Sequence, residues 1–449
     1  MLQQKIIITL IISFTLQLLL STPVEAQQQN LSLKEAISLA IKNNRALKVS
    51  QLDIQRAEQK TTVAKSRALP TVNFTSQYVH YFNQPVFFGL GSGSTTSDKI
   101  PYSRFGGDDQ VNAAVAASYP LYDPAVKPGI KQAYLSEKTN RLLYNDREVN
   151  VVAQVKQLYL TILVLNERLK LLQESLGRNE VALKDARYLF LQGRALRVDT
   201  LRAYTTVKNL QPDMLRISNA IHTGKLQLVT LLGVDSLQEI NFTDSLVTET
   251  PAILPAEEEV YAAAKTTRPD LQALSLQQQM NEQQVEIAKA GRLPVVSLIG
   301  QYQLQTQTNK FRFGNAYWPF VSFAGAQLTI PLFNGNSNKA KIKEATLATQ
   351  QSVIQLTDAQ EQLRTEVRRI VSDLQETAER MKTQLNVKET AQLSYDIIQY
   401  RYSKGVASRL ELTDAELALT TAQSNYLEAV YDYRSAQIQL DRVIGKIGN

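Results

Sequence analysis

The chain is written twice, and that duplication limits its fold more than any single motif. Ala64-Lys65-Ser66-Arg67-Ala68-Leu69-Pro70 recurs as Ala288-Lys289-Ala290-Gly291-Arg292-Leu293-Pro294, an offset of 224 that also carries Leu47 onto Leu271 and Tyr78 onto Tyr302. Tyr119-Pro120-Leu121-Tyr122 recurs as Ile330-Pro331-Leu332-Phe333 at an offset of 211. Gly193 then maps onto Gly405, and Leu231-Leu232-Gly233 onto Val443-Ile444-Gly445, both at 212. The offset changes only between the two prolines of each copy, which are 50 positions apart in the first and 37 in the second. One lengthened loop accounts for the difference. The fold is therefore a tandem pair of supersecondary units that share a core.

Each copy reads helix, strand, loop, strand, long helix, turn, helix. In the first copy, 27–248, the expected elements are an opening helix over 32–69, a strand pair over 71–121, a long helix over 124–190 and a helix over 197–232. In the second, 249–449, they are a strand pair over 295–332, a long helix over 335–402 and a helix over 409–445. The opening helix begins at Ser32-Leu33-Lys34-Glu35, a capping-box pattern, and ends near Pro70. The long helix of the first copy carries Val151, Val155, Leu158, Ile162, Leu165, Leu169, Leu172 and Leu176, spaced alternately by four and three. That is a heptad seam, and it requires a partner helix. Leu363, Val367, Ile370, Leu374 and Met381 repeat it in the second copy, with Thr377 interrupting. After each proline the period changes to two. Val72, Phe74 and Tyr78 alternate with Asn73, Thr75 and Gln77; Leu298, Gly300, Tyr302 and Leu304 alternate with Ser297, Gln301, Gln303 and Gln305, Ile299 excepted. These are strands with one apolar and one polar face. The connections 83–108 and 306–317 read as exposed loops, with Tyr81, Phe82, Phe87, Phe88, Tyr317, Trp318 and Phe320 near them, as in an interfacial belt or in packing on a small sheet.

Composition removes whole classes of function. There is no cysteine, which excludes disulfides, thiolate metal sites, thiol nucleophiles and a lipidated N-terminal Cys. His80 and His222 are the only histidines. The 49 basic and 42 acidic residues are interspersed as on a solvated surface, without the basic, aromatic-laced cluster that nucleic acid needs. Gly89-Leu90-Gly91-Ser92-Gly93 lacks the Lys-Ser/Thr of a phosphate loop. The composition points to no enzyme, cofactor or metal. Residues 1–26, with Lys5, the apolar run Ile6–Leu20 and Val24-Glu25-Ala26, read as a secretory signal peptide. No later segment reaches 18 apolar residues in a row.

The expected helix over 124–190 is about 100 Å long, and those over 32–69 and 197–232 are about 57 and 54 Å. Two shorter helices stacked end to end would line one long helix in each copy. Four strands cannot close a barrel. If their apolar face meets lipid, every edge must be paired, and three chains would supply 12 strands. A soluble sheet capping a coiled coil is the competing reading.

With this pattern, the chain resembles the TolC family of bacterial outer-membrane efflux proteins over essentially its whole mature length. The resemblance rests on Leu31-Ser32-Leu33-Lys34-Glu35-Ala36 with Asn43-Asn44, on Arg268-Pro269-Asp270-Leu271, on the Leu-Pro strand entries, and above all on Tyr402-Ser403-Lys404-Gly405-Val406-Ala407-Ser408-Arg409-Leu410-Glu411. The last is similar to the family's Tyr-x-x-Gly-x-x-Ser/Thr helix-tip turn. The resemblance implies an α+β membrane protein: a homotrimer whose 12-stranded β-barrel in the outer membrane continues into a periplasmic barrel of coiled-coil helices. It further implies a passive channel-tunnel, the exit duct of a tripartite efflux system with a periplasmic adaptor and an inner-membrane pump of RND or ABC type. The alternatives are a type I protein secretion duct and a non-channel periplasmic coiled-coil adaptor. By the same resemblance Gly193, Gly405 and Ser408 are candidate adaptor contacts at the helix tips, Leu196 standing where Ser/Thr is usual. Asp199, Glu411 and Asp414 are a candidate acidic ring at the pore entrance. The competing reading is that these acids stabilise a helix first turn, with Arg197, Arg202 and Arg409 near enough in sequence to pair with them.

Overall fold

The computed structural model describes residues 29–88, 102–104, 106–234, 240–246, 254–309 and 311–445. The segment 1–26 and the Gly89–Gly93 run lie outside the described residues. The first copy contains β1 (Gln29–Leu31), α1 (Leu33–Asn43), α2 (Arg45–Ser66), β2 (Thr71–His80), β3 (Val86–Phe88), β4 (Tyr102–Arg104), β5 (Asp109–Tyr122), α3 (Val126–Leu191) and α4 (Arg197–Leu232). After β6 (Ile240–Phe242), the second contains α5 (Glu257–Thr267), α6 (Pro269–Ala290), β7 (Val295–Thr308), β8 (Phe320–Thr329), α7 (Ser337–Ser403) and α8 (Arg409–Ile444). The chain divides into two compact units: 51–143 with 270–359, and 1–50 with 144–269 and 360–449. Each unit takes segments from both copies.

The first unit holds a four-stranded antiparallel sheet ordered β2-β5-β7-β8. The central pair β5–β7 joins the copies, from Asp109 opposite Thr308 to Tyr122 opposite Val296, with a bulge between Pro120 and Tyr122. Cross-strand partners share a face. One face carries Val72, Phe74, Tyr78, Val115, Tyr119, Leu298, Tyr302, Phe320 and Leu328, every one of them exposed. The other carries Asn73, Thr75, Gln77, Asn112, Gln301, Gln303, Gln305 and Gln307, interrupted by Ile299, Val321 and Phe323. The amides form a ladder, Gln301 Nε2 donating to Gln303 Oε1 at 2.8 Å and Gln303 Nε2 to Gln305 Oε1 at 3.4 Å. Apart from Asp109 and His80 at one end, these four strands contain no ionisable acid or base other than tyrosine. Asp109 accepts from the Tyr78 hydroxyl and the Phe311 amide, each at 2.7 Å, and lies 2.7 Å from His80 Nδ1. Phe311 and Phe313 stand edge-on to Tyr78, and Trp318 packs at 6.5 Å from Phe313. Some of the loop aromatics therefore pack on the sheet end, whereas Phe82 and Tyr317 are exposed. The first-copy connection expected to be an open loop contains the short β3–β4 hairpin.

The second unit is built on the heptad seams. Val151, Val155, Tyr159, Ile162 and Leu172 of α3 pack with Ile217, Ile221, Leu228 and Leu232 of α4 and with Ala36, Ile37 and Ala40 of α1. Leu374, Ala378 and Met381 of α7 pack with Tyr426, Ala429, Val430 and Tyr433 of α8. Each fully buried Leu, Ile or Val contributes about 1.5–3 kcal/mol. By length and composition alone, one stretch of α3 is apolar enough to cross a bilayer, as core helices also can be. Its apolar side chains include Val151, Val152, Val155 and Ile162, which are spent on this core.

The opening helix expected over 32–69 is broken. Asn44 ends α1, its Oδ1 accepts the Ala46 and Leu47 amides at the start of α2, and its Nδ2 donates to the Leu231 carbonyl at 2.7 Å. One amide side chain thus caps α2 and an end of α4. The second copy breaks at the matching Arg268, between α5 and α6, where the guanidinium donates to Glu366 at 2.6 Å. Parallel strands β1 and β6 tie the N-terminal segment to the join between copies. The Tyr159 hydroxyl lies 2.9 Å from the Leu31 carbonyl and 2.8 Å from Asp244, and burial holds its pKa far above the usual phenol value, so it remains a donor.

Candidate functional site

The hairpin turns between α3 and α4 and between α7 and α8 lie in the helical unit and share one backbone solution. Gly193 and Gly405 take φ of +71° and +74°, where glycine alone is unstrained. At the first, Gly193 N–H donates to Phe190 O and Arg194 N–H to Leu189 O, both at 2.9 Å. At the second, Gly405 N–H donates to Tyr402 O and Val406 N–H to Arg401 O, again at 2.9 Å. These are Schellman endings, which satisfy the last carbonyls of each long helix.

The following helices start differently. Ser408 caps α8 in full: its hydroxyl accepts the Glu411 amide at 3.2 Å and Glu411 accepts the Ser408 amide at 2.6 Å. Those bonds to Ser408 hold the Glu411 carboxyl below its ordinary value. In the first copy Asp199 accepts the Leu196 amide at 3.2 Å, but Leu196 has no oxygen to return the bond. Asp199 and Glu411 are thus first-turn capping acids. Glu411 and Asp414 are exposed, one helical turn apart on α8. A small cleft brings the copies together, placing Asp199 and Arg202 of α4 near Arg409 and Thr413 of α8. Among the described residues, none of Arg197, Arg202 and Arg409 forms an ion pair with Asp199, Glu411 or Asp414; Arg409 lies over the Tyr402 ring at 5.6 Å. No group of three His, Asp or Glu side chains among the described residues is placed to hold a metal ion.

A buried link behind the tips was not apparent from motifs. Arg178 Nε of α3 donates to both carboxylate oxygens of Glu416 on α8 at 2.8 Å. Ser175 donates to the same carboxylate at 3.1 Å, and the Arg178 guanidinium lies 5.9 Å from the centre of the Tyr395 ring. Glu416 is 7% exposed and Tyr395 8%. Burial and the Glu416 charge raise the Tyr395 pKa. Glu416 follows Leu412 by four and precedes Leu419 by three, so the visible signal was an acid on the buried stripe of an amphipathic helix.

Residues 36–234 and 260–446 match the family described as "Outer membrane efflux protein", a family of non-enzymatic efflux channels. The probable outer membrane lipoprotein SilC of Salmonella typhimurium is 21% identical over 91% of this chain and 84% of its own length. The pyoverdine export outer membrane protein OpmQ of Pseudomonas aeruginosa is 22% identical over 91% and 82%. The crystal structure of the outer membrane protein VceC from Vibrio cholerae superposes with a TM-score of 0.74, at 16% identity, over 92% of this chain and 96% of that one.

Proposed function

We propose that three copies of this chain, which belongs to the outer membrane efflux protein family, close one barrel of twelve strands and use the helix tips as a gated entrance. The chain is an outer-membrane efflux component, the exit duct through which substrate leaves. The observation that carries the trimer is the sheet. Its apolar face is exposed along all four strands, far beyond what a soluble surface tolerates, and its edges β2 and β8 have no partner strand within the sheet. In an antiparallel sheet of four strands the two edges run in opposite directions. β8 of one copy therefore meets β2 of the next antiparallel, and the pattern repeats until it closes. Lipid then covers the apolar face and the amide face lines the lumen.

The duct is passive and no catalysis is assigned to it. Gly193, Gly405 and Ser408 sit where a periplasmic adaptor would meet the tips, with an inner-membrane pump behind it. Threefold symmetry would gather Glu411 and Asp414 of each copy around the axis, with Asp199 nearby, a ring that favours cations.

Native mass in detergent, corrected for bound detergent, is expected near three protomers; a stable monomer overturns the shared barrel. Since the chain has no cysteine, one introduced in β2 and one in β8 should cross-link copies into a ladder ending at the trimer. For the ring, the paired substitution Glu411→Gln and Asp414→Asn retains a capping acceptor while removing charge. It should lower cation selectivity and alter conductance, and unchanged values would remove the ring from the entrance.

A further inference from the structure

The four junctions between strands and helices meet at one end of the sheet, where Thr71 stands opposite Ser118, Val296 opposite Tyr122 and Val295 opposite Thr329. Cations gather there. Lys65 and Arg67 close α2, and Lys289 and Arg292 close α6. Lys127 and Lys131 open α3, and Lys339, Lys341 and Lys343 open α7. All nine are exposed, and the segments 63–70, 123–131, 287–294 and 333–343 that hold them contain one acid, Asp123. That acid accepts the Ala125 amide at 2.9 Å. Further down the helices Glu286 answers Lys289 at 2.8 Å, and Glu344 follows Lys343. The Asn338 side chain donates to the Gly291 carbonyl at 2.6 Å, so their neighbours Lys339 and Arg292 belong to adjoining turns of the chain. At the opposite end of the sheet, segments 81–109 and 309–319 carry four basic and three acidic residues, close to balance.

Helix chemistry does not account for this gathering. Lysine in the last turns of α2 and α6 suits the negative end of a helix dipole. Five of the nine cations, however, sit in the first two turns of α3 and α7, at the positive end, and neither helix has an acid in its first turn. Between the cations and the sheet lies a second layer, Leu69, Leu121, Leu293, Leu332 and Phe333, all exposed. Exposed apolar side chains at the sheet end, then cations, is the order a membrane interface imposes: hydrocarbon first, headgroups next. Long lysine and arginine stems let the charge reach the headgroups from beside the apolar layer. Both copies carry both layers.

We propose that this basic collar binds the headgroups of anionic phospholipids in the membrane leaflet on the helix side of the barrel. The inference rests on the exit-duct reading above. The test is equilibrium binding of fluorescent phosphatidylglycerol and phosphatidylcholine to the full-length protein in non-ionic detergent micelles, across a salt series. The unaltered chain should prefer phosphatidylglycerol about tenfold or more at low salt, and the preference should shrink as salt rises. Lys127→Gln, Lys131→Gln, Lys339→Gln, Lys341→Gln and Lys343→Gln together keep good helix formers and should reduce the preference to about twofold or less. Arg104→Gln with Arg312→Gln, at the opposite end, should leave it unchanged. No preference in the unaltered chain, no loss in the first set, or equal losses in both sets overturns the inference. Displacement of the lipid by an equal concentration of inorganic phosphate overturns it in favour of free phosphate. Retention on purified peptidoglycan that the first set abolishes, without any lipid preference, reassigns the collar to the carboxylates of the cell wall. A fall in native mass in the first set overturns it by making the lysines contacts between copies. A trimer without lipid preference removes the collar alone, whereas a stable monomer removes the barrel and this inference with it.

Discussion

At the first tip the chain turns at Gly193 after α3 and Leu196 is the N-cap of α4; at the second it turns at Gly405 after α7 and Ser408 is the N-cap of α8. The turn bonds agree to within 0.1 Å in length, yet the second start has a complete capping box and the first only its acidic half. The charges differ as well: residues 180–211 carry six basic and three acidic side chains, residues 392–423 three and four. The joints at the opposite ends of α4 and α8 show the same contrast. Gly233 and Gly445 both take φ near +70°, but a Cβ on Gly233 would stand 2.4 Å from the Asn43 carbonyl oxygen, whereas on Gly445 its nearest neighbour would be 3.5 Å away. Backbone turns have few solutions, so the copies keep them. Side chains on solvent have many, so the copies diverge there.

Substitutions can break or sharpen this contrast. The largest effect is expected where one copy grips the other. Glu416→Ala leaves Arg178 without its partner and should cost about 3 kcal/mol, read as lost hydrogen-exchange protection along α8. Pairing Arg178→Met with Glu416→Leu should restore most of it. Next, Gly233→Ala should cost about 2–3 kcal/mol, from the left-handed backbone plus collision with Asn43, against about 1 kcal/mol for Gly445→Ala. Equal losses in thermal unfolding would show that the Asn43 approach relaxes freely. Leu196→Ser should supply the missing half of the first capping box and gain about 0.5–1 kcal/mol, while Ser408→Ala should lose about 1 kcal/mol. Exchange at the first-turn amides of α4 and α8 would measure both.

The smallest effect is acid fraying of α8. Glu411 has its carboxyl lowered from the ordinary 4.5 in the folded chain. Its capping contribution is therefore present above that value and is lost as pH falls through the folded pKa. Amides Glu411–Asp414 should lose protection as the pH falls below the ordinary carboxylate range, and Glu411→Gln should abolish that dependence.

Much of the helical architecture was legible because its signals are local and repeated. The heptad of Val151, Val155 and Ile162 predicted a partner, and the packing supplies α4 and α1. Alternation in β2 and β7 predicted the two faces. The helix break at Asn44 was not legible, since an Asn in a helical run carries no mark of the Leu231 carbonyl it will bond. Nor was the Arg178–Glu416 link, whose partners are 238 residues apart. At the tips, the capping residues could be read from spacing alone, but Asp199 meeting Arg409 in one cleft required the second copy to be in place.

The sequence by itself determined the duplication, the helical and strand periods, the glycine turns and the family, because periodicity and backbone permissiveness depend on residues a few positions apart. Only the tertiary structure decided that the copies join through β5 and β7, that Glu416 is buried against Arg178, and that Asp199 and Arg409 line one cleft. Those facts depend on which distant surfaces come together, and burial and charge pairing acquire their energies only once water has been excluded between them.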